Sequence, residues 1–446
     1  MTACRPCLIG QVFVDFIECP GSEPMMRLGG IMHAARALWA MGVTFGFAYT
    51  APDYLRQDAE DSAVRYGASH VRQIGTISRC PNVVIVGEGK ETGSQRYEYL
   101  LRAQSKCEFH PQALKQIIRA NDFTDFLIFP GGFHLPPVLD ELNPTRADVF
   151  ADINFISSEL QDLSALRRKF ASLILSTSSE LFLKVFGGDP GRASRELGSY
   201  ADSILLKENR GGSRLFRSGT SESLGTPAQV RPVLHSVGVG DCFNSVFVAQ
   251  RRSQGDKIAL AYASFAAAEY ASYFDDPTLK QSVAAVLDVS PEDIQHLGGV
   301  ELPWEARRNI SVYLAAPDFD HVDTTPLDAL AEALTYHNFS SRRPVREHGQ
   351  ARTDSSKAEK LQLAEADLDL LGICDVLVAV LLYDDPGTFI EIGVALDKMM
   401  PVIVFDPFGR AKNLMLTELP VLVSSDLDKV VTEVFVQAAK IINEKP

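Results

Sequence analysis

The chain has 446 residues, too many for one ordinary hydrophobic core, and we therefore expect more than one domain. Hydrophobic residues make up 46% of the sequence and charged residues 22%, a balance that is typical of soluble globular proteins and excludes a largely disordered chain. The formal net charge of −14 excludes nucleic acid from the expected partners, because an acidic surface repels phosphate backbones.

The first predicted strand runs from Gly10 to Phe16 and carries an acidic residue, Asp15. The glycine pair Gly29-Gly30 follows, and glycines allow a ligand to lie directly against the main chain. Small and apolar residues then recur at helical spacing from Ile31 to Met41, which predicts a helix. His33 closely follows the glycine pair in this helix and is therefore a candidate ligand contact.

The turn Gly238-Val239-Gly240-Asp241 precedes another predicted helix. Backbone N–H groups at the start of a helix are free to bind an anion, and the glycines let a phosphate approach the main chain closely. Phosphoryl transfer needs a positioned acceptor hydroxyl, a group that takes its proton, and donors for the charge of the transferring group. This turn could serve all three needs, by positioning a substrate hydroxyl, taking its proton through Asp241 and supplying N–H donors.

In this order the motifs resemble the ribokinase (PfkB) family of sugar and nucleoside kinases, over approximately residues 6 to 290. The resemblance implies that Asp15 and Gly29-Gly30 bind the acceptor, that Asp241 is the catalytic base, and that Gly238, Val239 and Gly240 form the anion hole. Three further segments match in sequence order: Asp152-Ile153-Asn154, Thr177 to Glu180, and Ile204 to Gly212 with Lys207 near the nucleotide.

The same resemblance implies ATP as the phosphoryl donor. Glu180 is expected to help hold Mg²⁺ through water, because Mg²⁺ prefers phosphate oxygens, one or two carboxylates and retained waters. Four positions depart from the family pattern: His33 and Thr177 each replace an Asn, Glu208 replaces a Gly, and His235 replaces an Asp. They motivate an alternative interpretation, in which a degraded kinase domain acts as a nucleoside sensor or a scaffold for the C-terminal enzyme.

Turn-forming residues mark the expected domain boundary. Ser290 to Asp293 predicts a short helical piece, and Gly298-Gly299 and Pro303 then interrupt any regular pattern. We therefore divide the chain into residues 1–290, a linker at 291–309, and residues 310–446.

An apolar run from Val376 to Tyr383 predicts a buried parallel strand, and Phe389 to Met399 predicts the helix that follows it. We expect Glu391 in the first turn of that helix. Parallel sheets bind ligands at their carboxyl edge, so Asp385 and Glu391 should project into one crevice, where paired carboxylates suggest glycosidic chemistry. The alternative is that Asp385 only caps the helix while Glu391 meets its dipole.

Four ordered segments in this region resemble the nucleoside 2-deoxyribosyltransferase family, from about Ile310 to Val436. The segments are Val312 to Pro317, Asp367 to Asp375, Gly387 to Gly393, and Asn413 to Met415. The resemblance implies that Glu391 attacks the anomeric carbon of a nucleoside, displaces the base and leaves a covalent glycosyl ester.

Other roles follow from the same resemblance. Asp385 and Asp367 would hold the sugar hydroxyls and the leaving base, one of them supplying the proton, with Asp369 as the fallback for Asp367. Tyr313 would orient the carboxylate of the nucleophile. Asn413 would assist or bind the 5′ end, and because the family supplies it from a neighbouring subunit, we expect a homo-oligomer formed through the C-terminal domain.

We therefore predict an α/β protein of two domains, a ribokinase-like α/β fold followed by a smaller Rossmann-like (flavodoxin-like) parallel-sheet domain. The expected function is bifunctional: an ATP-dependent sugar or nucleoside kinase joined to a domain that transfers glycosyl groups or hydrolyses N-glycosidic bonds. Transfer and hydrolysis both stay open, as does the order of the two reactions. A third interpretation assigns the C-terminal domain to oligomerisation alone.

The expected partner is a nucleoside or pentose substrate. No apolar stretch has the length of a membrane span, and the first residues lack the pattern of a secretory signal, which predicts a cytoplasmic protein without a membrane partner. Seven scattered cysteines do not form the pattern of a disulfide framework, and this agrees with a reducing compartment.

Overall fold

The structure, a computed structural model, describes residues 4–18, 23–119, 121–154, 160–351 and 354–444. The chain divides into two compact units, one of Met1–Glu91 with Gln95–Glu301 and one of Thr92–Ser94 with Leu302–Pro446. The main division, after Glu301, lies within the segment 291–309, whose role as a linker stays a prediction.

A large mixed sheet forms the centre of the N-terminal unit. Its strands are β1 (Pro6–Ile17), β2 (Met25–Gly30), β3 (Phe45–Ala51), β4 (Ala68–Ser78), β5 (Val83–Val86), β6 (Tyr97–Tyr99), β7 (Lys106–Phe109), β8 (Asp125–Ile128), β9 (Asp148–Asp152), β10 (Ser172–Ser176), β11 (Ser203–Lys207), β12 (Ser213–Arg217) and β13 (Ser223–Thr226). The helices are α1 (Ile31–Ala40), α2 (Arg56–Arg65), α3 (Pro111–Arg119), α4 (Leu135–Leu142), α5 (Pro190–Leu197), α6 (Val239–Gln254), α7 (Asp256–Ser272), α8 (Asp276–Leu287) and α9 (Pro291–Ile294).

The strand order of this sheet is β13-β12-β11-β10-β9-β8-β1-β3-β4-β7. The central strands from β11 to β4 pair in parallel, while β7, β12 and β13 pair antiparallel at the two edges. Strands β2, β5 and β6 form an extension that pairs with β1. Because parallel strands end at the same edge, the last residues of β9 and β11 lie close together.

Helices α1, α6 and α7 bury a large apolar cluster against the central strands. The helix predicted from Ile31 to Met41 is present as α1. Alanine occupies many of the buried positions of α1 and α7, and small side chains let neighbouring helices approach closely. This packing fixes the start of α6, where the predicted anion turn lies.

The C-terminal unit is a second, smaller parallel sheet with flanking helices. Its strands are β14 (Ser311–Ala315), β15 (Ser340–Arg342), β16 (Val376–Val380), β17 (Val402–Phe405) and β18 (Leu422–Ser424). Its helices are α10 (Trp304–Arg307), α11 (Thr325–Tyr336), α12 (Pro344–His348), α13 (Lys357–Gly372), α14 (Pro386–Asp397), α15 (Leu414–Glu418) and α16 (Leu427–Glu444).

The strand order β15-β14-β16-β17-β18, all parallel, is the flavodoxin-like order. The predicted fold class, two α/β domains of which the second is flavodoxin-like, is confirmed. Successive strands are added on opposite sides of β14, with β15 on one side and β16 on the other, and a ligand site in such a sheet lies at this switch point.

Two local details differ from the sequence-based expectation. Strand β16 ends at Val380 rather than at Tyr383, and α14 begins at Pro386 rather than at Phe389. Proline suits the first position of a helix, because its fixed φ is helical and its missing N–H has no partner to lose there.

Among the described residues, no helix combines the length and apolar composition that a membrane crossing requires.

Candidate active sites

The predicted anion turn lies at the start of α6. Gly238 precedes the helix with a φ of 80°, a backbone conformation that favours glycine. A Cβ at this position would also overlap the imidazole ring of His33, which is a second reason why this position requires glycine. Val239 and Gly240 begin the helix, and a Cβ on Gly240 would lie 3.0 Å from Nζ of Lys207. A helix N-terminus and an ammonium group are therefore adjacent, which suits a bound anion.

Lys207, at the end of β11, is held in place by a buried carboxylate at the end of β9, two strands away. Its Nζ donates to Oδ2 of Asp152 at 3.0 Å, and Nδ2 of Asn244 donates to the same oxygen at 2.6 Å. Oδ1 of Asp152 accepts from the backbone N–H of Asn154 at 3.1 Å. Asp152 is only 5% exposed, so these bonds fix the ammonium beside Gly240.

Asp241 is a carboxyl group whose ionisation falls slightly above neutral pH. Burial, with the nearby carboxylates of Asp152 and Asp15, raises its pKa to about 8, against the opposing influence of Lys207. A strongly shifted carboxyl in a polar cluster is a common property of catalytic groups.

Asp15, His33 and Tyr270 form a buried hydrogen-bonded chain. Nε2 of His33 lies 2.7 Å from Oδ2 of Asp15, and its Nδ1 lies 2.9 Å from the hydroxyl of Tyr270. Burial lowers the pKa of His33 despite the opposing effect of Asp15, so the ring is neutral, with Nε2–H donating and Nδ1 accepting. Both ring nitrogens are thus occupied within the protein.

The glycine pair supports the same cluster. A Cβ on Gly29 would overlap the carboxylate of Asp15, and Gly30, with a φ of 62°, precedes α1. Asp15 is 4% exposed. The structure therefore brings Asp15, the glycine pair, His33 and Gly238 together, and adds Tyr270, which the sequence analysis missed.

A cavity of about 200 Å³ lies on the face of β1 that also carries Asp15. Gln11, Phe13 and Asp15 alternate along the strand and therefore share one face. Further along, the cavity is lined by Asn82, Tyr99, Arg102 and Gly132 among others. Burial and the carboxylates of Asp15 and Asp241 raise the pKa of Tyr99 to about 12, and Arg102 acts in the opposite direction. The phenol of Tyr99 is therefore within electrostatic reach of both acids.

Glu180, the predicted magnesium contact, lies at the surface. Its side chain is 75% exposed, and its Oε1 pairs with Nζ of Lys184 at 2.8 Å. Thr177, which stands where the family has Asn, is buried, and its hydroxyl has no hydrogen-bond partner among the described residues. Within the described part of the chain no group of three or more His, Cys, Asp or Glu side chains could hold a metal ion by itself. A magnesium ion here would thus depend on phosphate oxygens and water, which is its usual preference.

In the C-terminal unit, Tyr313 and Glu391 meet at the switch point of the sheet. The hydroxyl of Tyr313, on β14, donates to Oε1 of Glu391, on α14, at 2.6 Å. Because α14 begins at Pro386, Glu391 lies in the second turn of the helix, and its expected place in the first turn is wrong. The second turn still carries the carboxylate to the carboxyl edge of β14 and β16.

Glu391 is partly buried among other acids. Burial raises its pKa to about 7, the hydrogen bond from Tyr313 lowers it, and the carboxylates of Asp367 and Asp385 raise it. Three carboxyl groups therefore share this site. Asp369, the fallback for Asp367, is exposed on α13.

Asp385 caps α14 and also takes part in the acidic group. Its Oδ2 accepts from the backbone N–H of Thr388 at 2.8 Å and from the Thr388 hydroxyl at 2.9 Å. Its electrostatic effect on Glu391 shows that capping does not remove it from the site. The capping alternative and the functional one are therefore both compatible with the geometry.

Asn413 precedes α15, and its Oδ1 accepts from the backbone N–H of Met415 at 2.9 Å. It is exposed, as are Leu414 at 73% and Met415 at 65%.

Asp367 has a partner that the sequence analysis did not consider: its Oδ1 lies 2.8 Å from Nδ1 of His348. No local pattern signals this pair, because His348 lies on a different helix from Asp367.

Residues 312–420 match the family model for nucleoside 2-deoxyribosyltransferase. The matched range contains Tyr313, Asp367, Asp385, Glu391 and Asn413. The predicted resemblance of this domain is therefore confirmed, while the role of each residue stays a proposal. Comparison of the sequence with curated proteins gave no match.

The N-terminal unit has a ribokinase-like fold. Adenosine kinase from Sinorhizobium meliloti is similar, with a TM-score of 0.51 at 14% sequence identity, over 65% of this chain and 100% of that chain. Ribokinase from Thermotoga maritima matches with a TM-score of 0.46 at 16% identity, over 64% and 100% of the two chains. A Burkholderia thailandensis nucleoside kinase in complex with inosine gives 0.47 at 14%, over 63% and 95%. Identities this low show the fold alone.

Proposed function

We propose that the C-terminal unit cleaves the N-glycosidic bond of a nucleoside or nucleotide, with Glu391 as the nucleophile. The observation that carries this proposal is the 2.6 Å hydrogen bond from Tyr313 to Glu391 at the switch point of the parallel sheet. An attacking carboxylate gains rate from being held in one orientation. Tyr313 holds Oε1, and we assign the attack to Oε2.

In the first step, Oε2 of Glu391 bonds to the anomeric carbon as the bond from that carbon to the base nitrogen breaks. The electron pair stays on the base, which needs a proton, and we assign its delivery to Asp367. Asp385 is assigned to the sugar hydroxyls. A second base that attacks the glycosyl ester gives transfer, and water gives hydrolysis.

We further propose that the N-terminal unit is a kinase that uses ATP and Mg²⁺. Asp241 would take the proton of the acceptor hydroxyl, while the N–H group of Gly240 and the ammonium of Lys207 would stabilise the charge on the transferring phosphoryl group. The N–H of Val239, the other expected member of the anion hole, already donates to the carbonyl oxygen of Ser236 at 3.2 Å. The support is the adjacent position of these groups at the start of α6. Asp15 and the glycine pair would bind the acceptor, and Glu180 would reach Mg²⁺ only through water.

A second candidate function for the N-terminal unit is that of a nucleoside sensor or scaffold. Two observations favour it: the carboxylate of Asp15 is already bonded to His33, and Glu180 is paired with Lys184 at the surface. A sensor would bind a nucleoside without consuming ATP. ATP consumption that disappears in Asp241→Asn would rule this candidate out.

We also propose that the C-terminal unit assembles with further copies of itself. Leu414 and Met415 are exposed apolar residues directly after Asn413, and a second copy covering them would receive Asn413 near its own site. Glutamate at both positions should then convert an oligomer into a monomer in light scattering, and base release should fall with it. A wild-type monomer would contradict this assembly.

Mass spectrometry tests the glycosidic proposal directly. The whole protein is incubated with a pool of nucleosides and 5′-nucleotides without ATP, and free base is measured. Release that is absent in Glu391→Ala supports the proposal, and the substrate consumed shows which reaction comes first. No free base from any substrate would overturn it. A second base in the mixture separates transfer, which yields a new nucleoside, from hydrolysis.

A further inference from the structure

His348 lies next to the proposed acid of the glycosidic site. It is the last residue of α12, and its Nδ1 lies 2.8 Å from Oδ1 of Asp367 on α13. The two side chains are 27% and 32% exposed, so the imidazole reaches solvent while it contacts the carboxyl group. An imidazole and a carboxyl in this arrangement can exchange a proton.

The contact is part of a built arrangement, because α12 is fastened by ion pairs. Arg343, at the start of this helix, binds the buried carboxylate of Asp318 with Nε at 2.8 Å and Nη2 at 2.7 Å. Its Nη1 donates to Asp328 at 2.6 Å. Arg342 and Glu347 pair beside it, and Glu347 is the other acid within reach of His348. These bonds hold His348 at one place above α13.

Asp367 connects His348 to the nucleophile. Its charge raises the pKa of Glu391 and also that of Tyr313, so it lies within electrostatic reach of both members of the central hydrogen bond. Asp367 thus contacts a solvent-accessible imidazole directly and lies within electrostatic reach of the proposed nucleophile. A group that donates a proton to a leaving base can recover one from the incoming nucleophile or, through such an imidazole, from solvent.

We propose that His348 is a positioning residue that orients Asp367 and returns a proton to it from solvent. When the bond from the anomeric carbon to the base breaks, the proton of the Asp367 carboxyl goes to the base nitrogen, which keeps the bonding electron pair. His348 then gives its Nδ1 proton to Asp367 while its Nε2 takes a proton from hydronium, so the ring stays neutral. The water or second base that attacks the glycosyl ester releases its own proton to solvent, which balances the cycle. This inference rests on the proposed function and adds the source of the proton.

The inference predicts that the loss of activity on changing His348 depends on the leaving group of the substrate. A natural base departs poorly as an anion and needs protonation, whereas 4-nitrophenolate is stable enough to leave without it. We therefore compare kcat/KM for a natural nucleoside with that for the matching 4-nitrophenyl glycoside, in the whole protein and in His348→Gln. A relay predicts a loss of roughly 10²-fold on the nucleoside and little change on the nitrophenyl glycoside.

Several variants sharpen the test. His321→Gln removes an exposed histidine of the same unit that stacks on Phe319, and it should leave both rates unchanged. Free imidazole should restore nucleoside cleavage in His348→Ala, which a loss of folding would not allow. Adding His348→Gln to Asp367→Asn should produce no further loss, because the two residues act in one step.

The outcomes are distinct. Equal losses on both substrates would mean that His348 only supports the local structure, and no loss on either would mean that it takes no part, so either result overturns the inference while the proposed function stands. If the unaltered protein cleaves neither substrate, the proposed function fails and the inference fails with it. A selective loss on the nucleoside, rescued by imidazole, supports both.

Discussion

The hydroxyl of Tyr313 donates to Oε1 of Glu391 at 2.6 Å, although the two residues are 78 positions apart in the chain. The bond favours the ionised form of the carboxyl, whereas burial and the two neighbouring aspartates favour the protonated form. Tyr313 therefore helps to set what fraction of Glu391 is ionised near neutral pH.

Removing this hydroxyl should shift the pH dependence of base release. Only the carboxylate can attack, so the rate of the unaltered protein should rise with pH through about 7, the pKa of Glu391. Tyr313→Phe removes the interaction that lowers this pKa, and the acidic limb of kcat/KM should move to higher pH. The profile is measured from about pH 5 to pH 9, with Tyr336→Phe as the control. A shift to lower pH would contradict the assignment.

Glu391→Gln should abolish base release without lowering stability. The folded-state pKa of Glu391, about 7, is above its ordinary value of 4.5, so stability from this group is full below pH 4.5 and is lost as the pH rises through 7. A neutral amide avoids that loss. The difference in melting temperature between variant and unaltered protein should therefore become more favourable to the variant between these two pH values. A variant that loses stability more at high pH would be inconsistent with a raised pKa.

Gly238→Ala should destabilise the N-terminal unit and stop any ATP consumption. The substitution carries the strain of a positive φ, about 1–2 kcal/mol, and also a clash with the ring of His33. Gly219→Ala is a matched control, because Gly219 has the same φ of 80° and no atom within 4 Å of its added Cβ. The larger loss in the free energy of unfolding should belong to Gly238→Ala. Equal losses would show that His33 yields to the methyl group.

Asp152→Asn and Lys207→Met should move the pH dependence of the kinase in opposite directions. Asp152 raises the pKa of Asp241 and Lys207 lowers it. If Asp241 is the base, the rate should rise with pH through its pKa, about 8, and this limb should move down in Asp152→Asn and up in Lys207→Met. Shifts of the same sign in both variants would mean that the limb belongs to another group.

Local sequence patterns predict the parts of this protein that depend on short segments. The glycines of the anion turn, the parallel strand at Val376 and the acids around Glu391 can each be identified within a short segment of the sequence. The structure agrees with the predictions made from these segments, because glycine, proline and apolar runs have strong backbone preferences. Glu391 lies one turn further along its helix than the sequence pattern predicts, because Asp385 and Pro386 begin the helix before the apolar pattern starts.

Contacts between distant segments lie beyond such reasoning. Tyr270 reaches His33 across 237 positions, and it belongs to a helix whose alanine-rich pattern indicates only packing. His348 meets Asp367 through the folding of α12 against α13. Glu180 shows the opposite case: a motif position that the sequence favours lies at the surface beside Lys184.

The imidazole of His33 has a further consequence. It is bonded to Asp15, a proposed acceptor ligand, and lies against Gly238, which belongs to the proposed phosphate site. A rigid aromatic ring between the two transmits any displacement of one to the other, since neither neighbour has room to move past it. Two substrates binding on either side of such a ring would affect each other's affinity, and the order in which they arrive would then be a property of this single side chain.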